Sequence, residues 1–159
     1  MILWSVIVVL ITALDQLTKY WVINNIGLTD SICVIPNVID FVYVKNPGAA
    51  FSFLSDATYG TIFLSIVSVV FCVLAIGFLI KHKPKNKLFL ISLALMISGA
   101  IGNVIDRIVK GYVVDFIETK FIKFPVFNVA DIAITIGAIL LVIYILFFDK
   151  TKSNKKTES

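Results

Sequence analysis

A single histidine, His82, and two cysteines, Cys33 and Cys72, are all the sequence offers of those two residue types. A Ser-His-Asp triad needs a histidine beside its nucleophile, and an HExxH zinc site needs two on one helix face. His82 lies in a lysine-rich loop, so both chemistries are excluded. Cys33 falls in a predicted loop and Cys72 in the middle of a predicted helix, a separation that disulfide geometry does not bridge. Charge is scarce too. Charged residues make up 15% of the chain against 59% hydrophobic ones, far too apolar a balance to wrap around one soluble core. No Lys or Arg precedes the first apolar run and no small-x-small cleavage site closes it, so it reads as a retained helix and not a cleaved signal peptide. There is no internal repeat, and the only low-complexity stretch is the lysine-rich tail.

What the chain does contain is long uncharged runs. Crossing a hydrocarbon core takes about 20 apolar residues. Residues 1–14 are uncharged and their helix can continue past Asp15 towards Ile23; 61–80 and 88–105 carry no charge, and 129–148 carries only Asp131 within its membrane run. Helices are therefore expected at about 1–23, 61–80, 88–105 and 129–148. Between the first two, the segment 31–44 is rich in β-branched and aromatic residues but punctuated by Pro36 and Asn37, which suggests two or three short strands. Asn46-Pro47-Gly48 then has turn chemistry, followed by an interfacial helix or loop towards Tyr59. The expected fold is an all-α membrane bundle of four transmembrane helices with a small extracytoplasmic β-sheet and outer loops. It forms one integral membrane domain over 1–159, with a disordered basic tail at about 150–159.

The basic residues orient it. Lys81, Lys83, Lys85 and Lys87 in one loop and the four lysines of the tail account for eight of the 14 Lys and Arg residues. By the positive-inside rule that side is the cytoplasm, so both termini are inside and the segments 24–59 and 106–128 face outwards. The net charge of +4 is thereby explained as topology, with no nucleic-acid partner implied. Four helices can complete a small bundle, and a monomer surrounded by membrane lipids is expected.

The polar residues inside this frame carry the functional argument. A carboxylate at the edge of hydrocarbon is costly unless paired or wetted, which makes an intramembrane acid a functional hypothesis by default. Asp115 and Asp131 are separated by too few residues to cross the membrane and return, so both must lie on the outer side. If they meet, like-charge repulsion raises one of the two pKa values and they share a proton near neutrality. The ionised member could then take a proton from water while the protonated one donates to a carbonyl oxygen, hydrolysing an amide without a covalent intermediate. Asn128 can cap the fourth helix, with Asp131 suited to its positive N-terminus. Asp131, Thr135 and Ala138 share a face expected to look into the bundle.

On the first helix Asp15 and Lys19 stand four apart and can pair along one face. On the third, Ala94, Ser98 and Gly102 form a stripe for close helix packing. That helix delivers Asn103, Asp106 and Arg107 at its outer mouth. Asp106 and Arg107 could also mark no more than the water boundary. A Ser52/Lys45 pair would be an alternative nucleophilic route, though nothing in the sequence joins the two.

Taken together the fragments resemble the lipoprotein signal peptidases, the bacterial signal peptidase II family of membrane aspartyl proteases. Asp15-Gln16-Leu17-Thr18-Lys19 is similar to the family's D-x-x-[ST]-K box, and Asn46-Pro47-Gly48-Ala49-Ala50-Phe51 to its N-x-G-x-[AS]-[FW] box. Gly102-Asn103-Val104-Ile105-Asp106-Arg107 matches G-N-x-x-D-R, Val113-Val114-Asp115-Phe116 matches V-V-D-F, and Phe127-Asn128-Val129-Ala130-Asp131 matches F-N-x-A-D. Ser98 stands where the family often has Gly.

The resemblance implies that Asp115 and Asp131 are the catalytic pair, and that Asn46, Asn103, Arg107 and Asn128 bind the substrate backbone or order the site. Asp15, Lys19 and Asp106 would support it. No metal or cofactor is implied. The implied substrate is a prolipoprotein carrying diacylglyceryl on its lipobox cysteine, cut just before that cysteine at the outer face of the bacterial cytoplasmic membrane. Two other classes compete with this expectation. A proton relay would need acids spread through the membrane depth, whereas all of these lie on the outer side. A non-catalytic lipid-binding or chaperone module would use the same outer cleft.

Overall fold

The computed structural model describes residues 2–48 and 57–148. The Ala49-Ala50-Phe51 end of the turn box, Ser52, the rest of the stretch up to 56 and the basic tail at 150–159 lie outside the described residues. The order of elements is α1 (Ile2–Asn25), β1 (Ser31–Ile35), β2 (Ile39–Asn46), α2 (Ala57–His82), α3 (Lys87–Lys110), β3 (Val113–Thr119) and α4 (Val129–Phe147). All four helices are long and apolar enough to cross a membrane. The strands form one antiparallel sheet in the order β1-β2-β3 at one end of the bundle.

The third strand comes from the segment between α3 and α4 and not from 31–44, which supplies only two. Four consecutive residues of β3, from Val113 to Phe116, are buried, so the strand lacks the in-out alternation that would mark it in sequence. Helix α3 also runs past its uncharged stretch to include Asp106, Arg107 and Lys110. Asp106 stays helical because Lys19 and Lys110 both pair with it. The helix stops where Gly111 takes the left-handed conformation (φ 80°) and its N–H closes on the Arg107 carbonyl.

Helix α3 is the centre of the bundle and packs on α1, α2 and α4, while α1 also reaches α4. The small-residue stripe allows this approach. Ala94, Ser98 and Gly102 are buried, Thr12 Oγ1 donates to the Ser98 carbonyl at 3.2 Å and Gln16 Nε2 donates to the Gly102 carbonyl at 3.0 Å. Towards α4, Gly99 lies directly against the Ala130 backbone carbonyl. The packed face of α4 is Ala130, Ala133 and Gly137. Thr135 is exposed and Asp131 only half-buried, so the polar face expected to point inwards instead borders an open groove. The smallest residues win the inner face because they let two backbones meet; a hydroxyl and a carboxylate are left where water can reach them.

At the sheet end a second core joins the layers. Val22 and Ile26 from α1 pack with Tyr43, Val114 and Phe116 from the sheet. Phe41 stands edge-on to both Phe116 and Trp21, with ring centroids 5.5 and 6.4 Å away. The sheet is thus seated on the end of α1. Cys33 and Cys72 are free thiols, on β1 and α2.

The Gly99 contact can be tested. A Cβ there would drive into a backbone carbonyl that cannot rotate away, one residue before Asp131. Gly99→Ala should destabilise the protein by about 1–3 kcal/mol, as overpacking does, visible as a lower unfolding midpoint in detergent. Gly77, whose Cβ would meet nothing within 4 Å, should tolerate the same change.

Candidate active site

The site is assembled where β3, the end of α3 and the start of α4 converge. Asp115 is 2% exposed. Asn46 lies opposite Val113 in the sheet and Val44 opposite Asp115, so Asn46 and Asp115 are diagonal neighbours on one face. Asn46 Nδ2 donates to Asp115 Oδ2 at 2.8 Å while its own Oδ1 accepts from Gly48 N at 2.9 Å. That second bond fixes which end of the Asn46 amide faces the acid.

Asn128 comes to the other side of Asp115 because the chain returns along β3. Phe116 N and Ile117 N donate to the Phe127 carbonyl at 3.0 and 2.8 Å, and Phe127 N donates back to the Ile117 carbonyl at 3.2 Å. Asn128 Nδ2 then reaches Asp115 Oδ1 at 2.6 Å. The same residue caps α4: Asn128 Oδ1 accepts from Asp131 N at 2.9 Å, and Asp131 Oδ2 accepts from Asn128 N at 3.2 Å. This is a reciprocal capping box at a helix N-terminus, a setting that favours an anion. Among the described residues the two carboxylates are joined through Asn128 and not by a direct hydrogen bond.

A third asparagine completes the circuit. Asn103 Nδ2 donates to Asp131 Oδ1 at 2.8 Å, and Asn103 Oδ1 accepts from Lys19 Nζ at 2.9 Å. Lys19 is wholly buried and its other partners are Asp15 Oδ2 at 2.9 Å and Asp106 Oδ2 at 3.1 Å. An ammonium has three donors and no acceptor, and here each donor has an oxygen. Asp15 Oδ1 also accepts from Ala130 N at 2.9 Å, and Asp106 Oδ2 from Val114 N at 3.0 Å. The ion cluster therefore ties α1 and α3 to the residues immediately before Asp115 and Asp131.

Ser52 apart, which lies outside the described residues, the residues singled out from the sequence can be placed. Asp115, Asp131, Asn46, Asn103 and Asn128 form one hydrogen-bonded set, with Asp15, Lys19 and Asp106 behind it. Asp106 is fully buried and does not merely mark a water boundary. Arg107 is adjacent, within the fields of Asp131, Asp115 and Asp106, but its Nε is buried without a hydrogen-bond partner among the described residues. Thr18 turns back on the Leu14 and Asp15 carbonyls of its own helix. Gln16 was not anticipated: its Nε2 donates to Asp15 Oδ2 at 3.1 Å and to the Gly102 carbonyl. Its place inside the D-x-x-[ST]-K box was the available signal. Lys45 lies over the Tyr43 and Tyr112 rings, 5.8 and 5.2 Å from their centroids.

The two acids open on a cavity of about 460 Å³ with Asn46 at one edge and apolar walls that include Phe124, Ile132 and Ile136. Burial pushes the Asp115 carboxyl up to about 6; the Asn46 hydrogen bond opposes the rise and the negative charge of Asp131 adds to it. Asp115 is thus the member that holds a proton into the weakly acidic range. Asp131 accepts from two N–H donors and is less buried.

Comparisons with known proteins give the family. The family model for signal peptidase (SPase) II matches residues 7–147. The lipoprotein signal peptidase of Lactococcus lactis subsp. lactis (strain IL1403) is 44% identical over 147 residues, covering 92% of this chain and 95% of that protein. The lipoprotein signal peptidase of Streptococcus agalactiae serotype Ia is 46% identical over 142 residues, covering 89% and 90%. A bacterial membrane enzyme structure obtained by the in meso method at 2.3 Å superposes with a TM-score of 0.83 at 36% identity, over 98% of this chain and 93% of that one. With its four spans, its capping sheet and these relatives, the chain belongs to the signal peptidase II family of lipoprotein signal peptidases and is a membrane protease.

Proposed function

We propose that the protein is an aspartic endopeptidase that removes signal peptides from diacylglyceryl-modified prolipoproteins, cutting before the lipidated cysteine, with Asp115 and Asp131 as its catalytic pair. The observation that carries this reading is the asymmetry of two carboxylates on one groove. Asp115 is buried and proton-retaining; Asp131 is capped by donors at a helix N-terminus. One acid and one base are what direct hydrolysis by water requires.

In the resulting mechanism the Asp131 carboxylate takes a proton from a water in the groove, and the oxygen attacks the scissile carbonyl carbon. Asp115 donates its proton to the carbonyl oxygen, giving a neutral tetrahedral diol. Collapse returns the proton from Asp131 to the departing cysteine nitrogen, the C–N bond breaks, and a diol hydroxyl gives its proton back to Asp115. Both carboxyls end as they began. Asn46 and Asn128 hold Asp115 from both sides, and Asn103 holds Asp131. Arg107, its Nε buried beside the two acids and within their fields, orders the site from behind.

The walls suit an apolar peptide with a lipid at its end. Phe124, Ile132 and Ile136 border the acids, so the hydrophobic stretch of a signal peptide would be held with its scissile amide at the groove's polar floor. The lysine-rich α2–α3 loop puts that end of the bundle in the cytoplasm by the positive-inside rule. Both termini are then cytoplasmic, and the site faces outwards from the cytoplasmic membrane, where lipid-modified precursors emerge. The chain acts as a single membrane domain.

Asp115→Asn and Asp131→Asn should each lower cleavage of a lipidated prolipoprotein at least about 100-fold, the lower range for losing a general acid or base. The unfolding midpoint of each should show a retained fold. Cleavage by the purified Asp131→Asn protein at the wild-type rate would sink the mechanism. Asn103→Ala removes a hydrogen bond to an ionised group, worth about 1.5–3 kcal/mol. It should lower kcat roughly 10- to 100-fold with little change in KM, and an unchanged kcat would remove Asn103 from the site.

A further inference from the structure

Away from the catalytic groove, the opposite flank of the bundle carries a slot between α1 and α2. Among the described residues the backbone of α2 approaches α3 but not α1, so the two helices part and α3 forms the floor. The slot has a volume of about 280 Å³ and its lining, apart from Ser5, is apolar, with Leu90, Ala94, Ile97 and Ile101 along the floor. Leu90 and Ile101 are eleven residues apart on α3, roughly 16 Å of helix. That is about half of a 30 Å hydrocarbon core, the depth of one leaflet.

The slot opens at the lysine-rich end into a second cavity of about 360 Å³ that shares Trp4, Leu79, Ile80 and Leu90 with it and adds Lys83 and Pro84. Trp4 is an interfacial residue type at an interfacial depth. Lys83 has no carboxylate partner among the described residues. Its backbone is left-handed (φ 45°), uncommon for a lysine, and its N–H closes α2 on the Leu79 carbonyl at 3.1 Å. The turn thus holds an unpaired ammonium over the mouth of an apolar slot one leaflet deep.

We propose that this slot binds one anionic phospholipid, with an acyl chain between α1 and α2 and the phosphate on Lys83. The charge selects the occupant. An ammonium at the interface without a carboxylate partner gains most from a phosphate that carries no cation of its own, so an anionic headgroup is preferred to a zwitterionic one. The inference does not depend on the peptidase reading, because it rests on the flank away from Asp115 and Asp131.

Trp4 provides the probe. In a Trp21→Phe background Trp4 is the only tryptophan, and the full chain is reconstituted in phosphatidylcholine vesicles containing a fixed fraction of phosphatidylglycerol. Bromine is placed on the acyl chains of one lipid or the other at equal mole fraction. Quenching of Trp4 should report an about fivefold preference for phosphatidylglycerol, the enrichment expected of one lysine near a membrane surface. Lys83→Gln should abolish that preference. Lys85→Gln, which lies outside both cavities, should keep it. Equal quenching by both lipids would overturn the site, as would a Lys85→Gln protein that loses the preference as fully as Lys83→Gln, since that pattern means diffuse attraction to a basic loop.

Discussion

The structure hangs on one ammonium group taken out of water. Lys19 is fully buried at the level where α1, α3 and α4 meet, and its charge is met by Asp15, Asp106 and the Asn103 carbonyl oxygen. Removing one partner from such a cluster strands a buried charge, which costs about 3–5 kcal/mol. The two acids are not idle once they have met the lysine. Asp15 holds the first turn of α4 through Ala130 N, and Asp106 holds β3 through Val114 N. Each of those backbone contacts is one residue away from a catalytic candidate. A bundle packed largely through apolar and small residues therefore has a charged knot at this level, and the site is built on it.

The knot also sets the direction of every amide in the site. Lys19 can only donate, so the oxygen of Asn103 must face it and the NH2 group must face Asp131. Asn128 has its oxygen engaged as a helix cap and can offer only its NH2 to Asp115. Asn46 has its oxygen engaged by Gly48 N and does the same. Three neutral side chains are thus polarised into donors around two acids, and among the described residues no cation pairs with either. Burial then distinguishes the pair: both line the groove, but Asp115 on the sheet is nearly buried and Asp131 is only half-buried. That difference in burial is what the proposed division into acid and base rests on.

Much of this was legible in the sequence, and the parts that were not have a common cause. The four spans follow from length and apolarity alone, because in a membrane those two properties decide. The pairing of Asp15 with Lys19 and the capping of α4 by Asn128 are local and could be read from spacing. That Asp106 is buried could not, because this rests on Lys19, which is distant in sequence. Strand β3 was hidden by being buried through its first four residues. Thr135 was assigned inwards by its polarity, yet Ala130, Ala133 and Gly137 are smaller and take that face. The proposed division of roles between Asp115 and Asp131 rests on desolvation, which only the folded chain creates.

The central claim is that Asp115 is the member of the proposed pair that holds a proton into the weakly acidic range. Infrared spectroscopy of the purified protein reads it directly, through the carbonyl stretch of a protonated carboxyl group followed against pH. Because the Asp115 carboxyl is raised to about 6, its proton should be present at pH 5 and lost as the pH rises through about 6. The signal should vanish in Asp115→Asn and persist at pH 5 in Asp131→Asn, since burial, the larger cause of the rise, remains. A band that titrates near the ordinary carboxylate value of about 4, or one that disappears with Asp131→Asn instead, would contradict the account.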